Sequence, residues 1–197
     1  MAKATKLTAI NTIISNIGQS PITTLETGNP LVEMAEQVLD EISRAVQGEG
    51  WVFNTEYRFP FTPDPVTGFI TIPDNVLALA NPPYEGKATI RGSRLYNKAD
   101  HTYVFTGQQE LDVVWLFEFE ELPEAFKNYI TIRAANVFAG RSVGSVEAVR
   151  FGEREEVIAR ATAIEYDTQQ GDYSVFSDIN NRNPFYSYRP VNALYRY

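Results

Sequence analysis

The sequence predicts an α+β protein: a bundle of about four helices, an inserted antiparallel β-sheet subdomain and an extended C-terminal arm. Four segments, residues 7–17, 31–46, 126–138 and 149–164, carry apolar side chains at helical spacing, and residues 19–26 between the first two form an extended connector. Between the second and third segments lie short β-branched and aromatic runs, broken by Pro, Gly, Asn and Asp, which are typical of antiparallel strands. The predicted division is helices in 1–50, a β-rich insertion in 51–121, helices again in 122–170, and an aromatic arm in 171–197.

The first two helices are predicted from apolar stripes with clear end signals. In the first, one face carries Leu7, Ile10, Ile14 and Ile17, and Gly18 supplies the stop. In the second, Asn29 is the expected N-cap and Pro30 occupies the first position, where a missing N–H costs nothing. Its stripe comprises Leu31, Met34, Ala35, Val38, Ile42, Ala45 and Val46, before Gly48 and Gly50.

The middle of the chain is predicted to form short strands. The runs that suggest them are 51–53, 69–72, 88–90, 102–105 and 111–119. In the last run, Trp115, Phe117 and Phe119 alternate with Leu116 and Glu118, which predicts a strand with one wetter face.

Two more helices are predicted near the C-terminus. Pro123 opens the third, whose buried stripe comprises Phe126, Ile130, Ala134, Val137 and Phe138, and residues 140–144 form a turn. The fourth runs from Ser145 to about Asp167, with a thin stripe of Val149, Val157, Ala161 and Ile164. Its charges are mostly acidic, with six carboxylates against three arginines, so it suits packing against one neighbour while facing water or another subunit.

Composition excludes several classes of site. The 197 residues contain no cysteine and one histidine, which leaves no disulfide, thiolate metal site, cysteine nucleophile or multi-histidine zinc site. A net charge of −8 disfavours bulk attraction to DNA or anionic membranes. No signal-peptide or membrane-spanning pattern is present, so we expect a soluble protein made in a cytoplasm, with no cofactor and no metal.

Catalytic candidates are weak. The phosphate-loop, dinucleotide-binding, lipase-type and zincin motifs are all absent. His101 falls in an expected hairpin turn, where a histidine is usually just solvated. A glycosidase-like carboxylate pair could come from Glu118, Glu120, Glu121 and Glu124, although a hydrated rim is the simpler interpretation.

Two surfaces are predicted to meet partners. The only basic cluster comprises Lys87, Arg91, Arg94 and Lys98; it either touches phosphates or an acidic partner, or is an ordinary exposed hairpin. The C-terminal stretch combines Arg182, Arg189 and Arg196 with many aromatics, a mixture enriched at interface cores. It either lies on a partner subunit or wraps its own domain. Its aromatic residues are Tyr173, Phe176, Phe185, Tyr186, Tyr188, Tyr195 and Tyr197.

Several stretches of the sequence match one known family in order. The most specific are Ala9-Ile10-Asn11, Ile17-Gly18-Gln19-Ser20-Pro21-Ile22, Thr24-Leu25-Glu26, Val38-Leu39, Arg44, Gln47 and Gly50-Trp51-Val52-Phe53-Asn54-Thr55-Glu56. Further stretches are Glu121-Leu122-Pro123-Glu124-Ala125-Phe126 and Glu165-Tyr166-Asp167. With them, nearly the whole chain resembles the tail tubular protein A family, the head-to-tail adaptors or gatekeepers of short-tailed bacteriophages.

The resemblance implies a helical bundle with an attached β-sheet domain, assembled as a dodecameric ring. Such a ring docks under the portal protein and above the nozzle, tail tubular protein B, with DNA passing through its lumen and tail fibres attaching near the lower junction. It supplies no catalytic residues. Two alternatives stay open: a tail-associated hydrolase acting on bacterial surface polysaccharide through Glu118 or its neighbours, and a free nucleic-acid-binding module, which the charge disfavours.

Overall fold

The computed structural model describes residues 3–26, 28–81, 88–142 and 146–171, and of residues 146–151 it describes the backbone alone. The described part contains four helices and five strands, so the predicted α+β class is confirmed. The helices are α1 (Lys6–Ser15), α2 (Pro30–Gln47), α3 (Glu124–Ser142) and α4 (Val146–Gly171). The strands are β1 (Thr55–Phe61), β2 (Val76–Ala80), β3 (Ala88–Arg91), β4 (Arg94–Asn97) and β5 (Gln109–Trp115).

The predicted end signals of the first two helices are confirmed. The Asn29 side chain accepts a hydrogen bond from the backbone N–H of Leu31, and Pro30 is the first residue of α2. Gly18 has φ +78°, a conformation that favours glycine, and the chain leaves α1 there with the N–H of Gln19 bonded to the carbonyl of Ile14.

Helices α1, α2 and α3 bury one apolar core. Ile10, Ile14, Val38, Ile42, Phe126 and Ile130 all belong to this core, as their spacing predicts. Leu7 is only half-buried, whereas the unpredicted Ile13 is fully buried. Trp51, which follows α2, packs on Phe126 of α3 in the same core, their ring centroids 4.9 Å apart.

The strands form a three-stranded antiparallel sheet, in the order β1-β5-β2, and a separate β3–β4 hairpin. A second apolar cluster lies here, away from the helical core. Its buried members are Phe61, Ile70, Ile72, Leu95, Phe105, Leu111 and Val113.

Several predicted strand boundaries are wrong because local hydrogen bonds override β-propensity. Residues 51–53 lead into a short 3-10 turn (Val52–Asn54), since the N–H of Trp51 bonds to the side chain of Asn54. Residues 69–72 and 102–105 form isolated bridges rather than strands.

The run 111–119 is interrupted, because β5 ends at Trp115. A 3-10 turn (Phe119–Glu121), in which the Glu121 carboxylate accepts from the N–H of Glu118, replaces the predicted end of the strand. The predicted turn at residues 140–144 is also misplaced, because α3 continues through Gly140 to Ser142.

Candidate interaction surfaces

The basic hairpin, defined here by Arg91, Arg94 and Lys98, lies exposed on the β3–β4 pair, with Arg91 and Arg94 at its turn and Lys98 just after the end of β4. Arg91 and Arg94 are register partners on either side of the Gly92–Ser93 turn, where Gly92 has φ +62°. Lys87, the fourth predicted member of this basic cluster, lies outside the described residues.

The two arginines of the basic hairpin are held by aromatic rings rather than by carboxylates. The guanidinium carbon of Arg91 lies 3.6 Å from the centroid of the Tyr96 ring, and that of Arg94 lies 4.6 Å from the centroid of Phe69. Within the described ranges, no acidic side chain forms an ion pair with any member of the basic hairpin. The geometry therefore presents, among the described residues, two guanidinium groups that are oriented by aromatic rings and form no ion pair.

His101 lies in a turn beside the basic hairpin, as its sequence context predicts. Its backbone has φ +52° and its side chain is exposed. The residues flanking the turn pair with each other, since Asn97 and Thr102 exchange backbone hydrogen bonds of 2.9 and 3.3 Å. A triad histidine has to lie between a nucleophile and an orienting acid, and an exposed side chain in a turn is not held in that position.

The four glutamates considered for catalysis are exposed, and three of them accept hydrogen bonds that fix the start of α1 or the turn before α3. Glu120 accepts from the N–H of Lys6 at 3.1 Å, and Glu121 accepts from the N–H of Glu118 at 3.2 Å. Glu124 accepts from the N–H of Ala4 at 3.2 Å and from the Lys127 ammonium at 3.0 Å.

Electrostatics at Glu124 also oppose acid catalysis. The hydrogen bond from Lys127, followed by that from the N–H of Ala4, lowers the pKa of Glu124. A glycosidase general acid needs the opposite shift, which an apolar pocket provides. The carboxylates of Glu120, Glu121 and Glu124 therefore have structural roles in the observed geometry.

A polar network fastens α4 to the rest of the helical region. Arg160 donates to both oxygens of Glu49, at 2.7 and 3.1 Å, and to the hydroxyl of Tyr129 at 2.7 Å. Arg133 also donates to the Tyr129 hydroxyl, at 3.0 Å, although that tyrosine is only 1% exposed. The hydrogen bond from Arg160 to Glu49, reinforced by Tyr129, raises the pKa of Arg160 further above its usual value.

Small residues allow this network to form, because they bring α4 close to α3. Among the described side chains of α4, the buried apolar ones are Ala159 and Ala163, and a Cβ at Gly152 would overlap the side chain of Asn136. The Asn136 amide donates to Glu156 at 3.0 Å. Further along α4, Asp167 accepts from the N–H of Val52 at 2.7 Å.

The predicted apolar stripe of α4 is therefore wrong. Val157 and Ile164 are 69% and 45% exposed, Ala161 is exposed, and the side chain of Val149 is not described. The inward face is built from small and charged residues, so the aliphatic residues point outward. We define the outer face of α4 as Val157, Ile158, Ala161 and Ile164.

Neither this outer face nor the network beneath it was predicted as a site. The sequence signal that could have found the buried face is the spacing of Gly152, Ala159 and Ala163 at i, i+7 and i+11, which favours close helix approach. The predicted contact residues of the arm, namely Phe176, Phe185, Tyr186, Tyr188, Tyr195 and Tyr197, lie outside the described residues.

A buried charge lies in the groove between α1 and α3. Lys127 is 1% exposed, and its ammonium donates to the carbonyl of Ala4 at 3.2 Å as well as to Glu124. These two partners satisfy the cation from within the chain, as a buried charge requires. The groove thus offers a ligand no unpaired charge.

Two further features are absent from the described part of the chain. No helix there is both long and apolar enough to cross a membrane. No group of three or more histidine, aspartate or glutamate side chains in the same residues could hold a metal ion.

Comparison with known proteins gives consistent results. The family model described as "Tail tubular protein" matches residues 7–173. The "Tail tubular protein A" of Klebsiella phage KP34 is 31% identical over 119 residues, which span 60% of this chain and 63% of that protein. The chain thus covers a little under two thirds of the length of this curated relative.

Proposed function

Since the chain belongs to the tail tubular protein family, and is thus a structural protein of a bacteriophage tail, we propose that it forms the ring-shaped head-to-tail adaptor. In this role, twelve copies close a ring that docks under the portal protein and above the nozzle, tail tubular protein B. The ring stands at the head–tail junction of the virion, after synthesis in the cytoplasm of the host bacterium. Tail fibres attach near its lower junction.

The outer face of α4 is the observation that carries this proposal. Within the described helical region, the large aliphatic side chains that remain exposed are Val157, Ile158 and Ile164, and all three lie on one helix. An apolar row of this kind on a charged helix is typical of an interaction surface. A protein that works through extended contacts with copies and partners needs such surfaces, whereas an enzyme needs a pocket.

Ring closure follows from the symmetry of such contacts. A surface that meets a different surface on the next copy makes a head-to-tail contact, and a fixed rotation between copies closes the chain of contacts into a ring. The outer face of α4 supplies one such surface, and the C-terminal arm supplies contacts to an adjacent subunit or another tail protein.

The charge suits a channel that lets DNA slide. Basic side chains facing the lumen would neutralise DNA phosphates and release their counterions, and the DNA would then be held in place. With a net charge of −8 per chain, the ring encloses double-stranded DNA without specific binding, through a lumen lined mainly by acidic and neutral polar side chains. In this arrangement the basic hairpin faces an acidic surface of another protein.

Two experiments test the proposal. Negative-stain microscopy of the protein mixed with its portal protein should show closed rings on the portal, and a portal that stays bare would contradict the adaptor role. A glycan-release assay with purified bacterial surface polysaccharide addresses the hydrolase alternative; measurable release abolished by Glu118→Gln would revive it.

The arm is tested by truncation. Deleting the chain from Ser174 onward should leave a folded protein that fails to join the tail, because the aromatic contacts are lost. Normal virion assembly with the truncated chain would refute the arm's role.

A further inference from the structure

We infer that the outer face of α4 is the receptor for the C-terminal segment 172–197 of a neighbouring copy. The inference rests on the proposed ring, and it names which surface of one subunit receives which part of the next. Its physical basis is the exposure of Val157 at 69%, Ile158 at 61% and Ile164 at 45%, with Ala161 between them. These positions recur at helical spacing, so they form one continuous apolar strip along α4.

Composition matches the segment to this strip. Residues 172–197 contain the aromatic side chains that an apolar strip would bury, together with Val175, Ile179, Val191 and Leu194. Tyrosine and phenylalanine pack well on small and branched aliphatic residues, and Ala161 leaves room for a ring between Ile158 and Ile164.

Complementary charge also supports this pairing of segment and strip. Three exposed acids, Glu153, Glu155 and Glu165, and one exposed base, Arg154, flank the strip, so its surroundings carry a net negative charge. The segment carries three arginines, Arg182, Arg189 and Arg196, against Asp172 and Asp178, so its net charge is opposite in sign to the acidic surroundings of the strip. Complementary charges at the rim of an apolar contact favour the correct partner and orientation.

Chain length allows the contact. The segment begins where α4 ends at Gly171, about 20 Å along the helix from Val157 at the usual helical rise. An extended chain of this length spans up to about 90 Å, which is enough to cross to the α4 of the next copy in a ring.

Cysteine cross-linking tests the inference cleanly, because the native chain contains no cysteine. One set of full-length chains carries Ile158→Cys, and another carries Phe176→Cys, Tyr186→Cys or Tyr195→Cys. Chains from the two sets are mixed, assembled with portal protein and oxidised, and the linked peptides are identified by mass spectrometry. Val66→Cys replaces Ile158→Cys in the matched control, since Val66 is 90% exposed but lies in the β-region.

The expected result is a disulfide between the Ile158→Cys chain and an arm cysteine of another chain, at least several-fold above the Val66→Cys control. Links no more frequent than the control, in rings that assemble normally, would overturn the inference and leave the proposed adaptor role standing. A further chain carries Ile158→Cys and one arm cysteine together. If this chain links within itself while the mixed, singly substituted chains do not link, the inference is also overturned, because the segment then covers its own helix. Failure to form rings with unmodified protein contradicts the proposed function instead.

Discussion

Gln47 pairs with the backbone of Phe117 as if it were a residue of a neighbouring strand. Its side-chain oxygen accepts from the N–H of Phe117 at 2.8 Å, and its amide donates to the carbonyl of the same residue at 3.0 Å. Gln47 is fully buried at the end of α2, and Phe117 lies just after β5. One side chain therefore fastens the helical region to the exit of the β-region.

Gln47→Leu should lower the free energy of unfolding by about 1–3 kcal/mol, because both polar groups of Phe117 would lose their partner while the volume of the side chain is kept. Urea denaturation measures the change. The matched control is Gln37→Leu on the exposed side of the same helix, which should stay within about 0.5 kcal/mol. Equal effects from the two substitutions would contradict the structural role of Gln47.

Ile42→Ala should cost about 2–5 kcal/mol, because Ile42 is 6% exposed within the helical core and its loss leaves a cavity. Ile158→Ala removes the same atoms from a side chain that is 61% exposed, so the isolated chain should lose less than about 0.5 kcal/mol. Chemical denaturation of both variants gives the comparison. A large loss from Ile158→Ala would mean that the outer face of α4 is covered within the single chain.

Acid should destabilise the fold through Glu124. Its hydrogen bonds to Lys127 and Ala4 lower the pKa of Glu124 below the ordinary value of 4.5 in the folded state. The folded protein therefore holds this proton less readily than the unfolded chain, so the stabilisation is complete above pH 4.5 and is lost as the pH falls through the folded pKa. The pKa values of Glu41, which bonds to Arg141, and of Asp64, which accepts hydrogen bonds from Thr67, are also lowered, so both groups likewise stabilise the fold less as the pH falls.

Glu124→Gln should consequently flatten the fall of the melting temperature below pH 4.5. Thermal unfolding followed by circular dichroism between about pH 7 and about pH 3 measures the slope. In a Lys127→Met background the same substitution should change the slope less, because the main partner is already missing. A wild-type slope no steeper than that of Glu124→Gln would refute the assignment.

Charge reversal of the basic hairpin should impair assembly with tail partners while the chain stays folded. Arg91→Glu with Arg94→Glu removes two cation–ring contacts, each worth about 0.5–1 kcal/mol at an exposed site. Reversal at Lys3 and Arg44, which are exposed elsewhere, provides the control with the same change in charge. Co-sedimentation with the partner proteins gives the assembly readout. If reversing all of Lys87, Arg91, Arg94 and Lys98 leaves assembly normal but abolishes DNA ejection or retention, the basic hairpin contacts DNA.

The helices that could be predicted are those with end signals and a dominant apolar face. Asn29 and Pro30 mark the start of α2, and the spacing of Phe126 and Ile130 identifies the buried side of α3. For these elements, local preference and burial against neighbours favour the same conformation, which is why sequence reasoning succeeds.

The strands were harder to predict because their signals are local and mixed. Strand β1 contains Pro60 and a residue with positive φ, Arg58, at an irregularity in its pairing with β5. The N–H of Arg58 bonds to the side chain of Asp112 instead of continuing the ladder. A bulge of this kind breaks the alternation on which strand prediction depends.

One candidate surface was predictable from the sequence and another was not. The place of Arg91 and Arg94 at a hairpin tip was predictable from nearby turn residues. The network of Arg160, Tyr129 and Glu49 was not, because its members lie 31 and 111 residues apart in sequence. The hydrophobic pattern predicted the wrong buried face of α4, because the face that is buried consists of small residues and of charged residues that form hydrogen bonds.

The mass of the assembly formed with the portal protein tests the adaptor role most directly. Native mass spectrometry of the purified portal, alone and after addition of this protein, measures the mass that is gained. Twelve chains of 22.2 kDa should add about 266 kDa in one discrete step. A chain that remains a 22.2 kDa monomer beside an unchanged portal at micromolar concentrations would contradict the account.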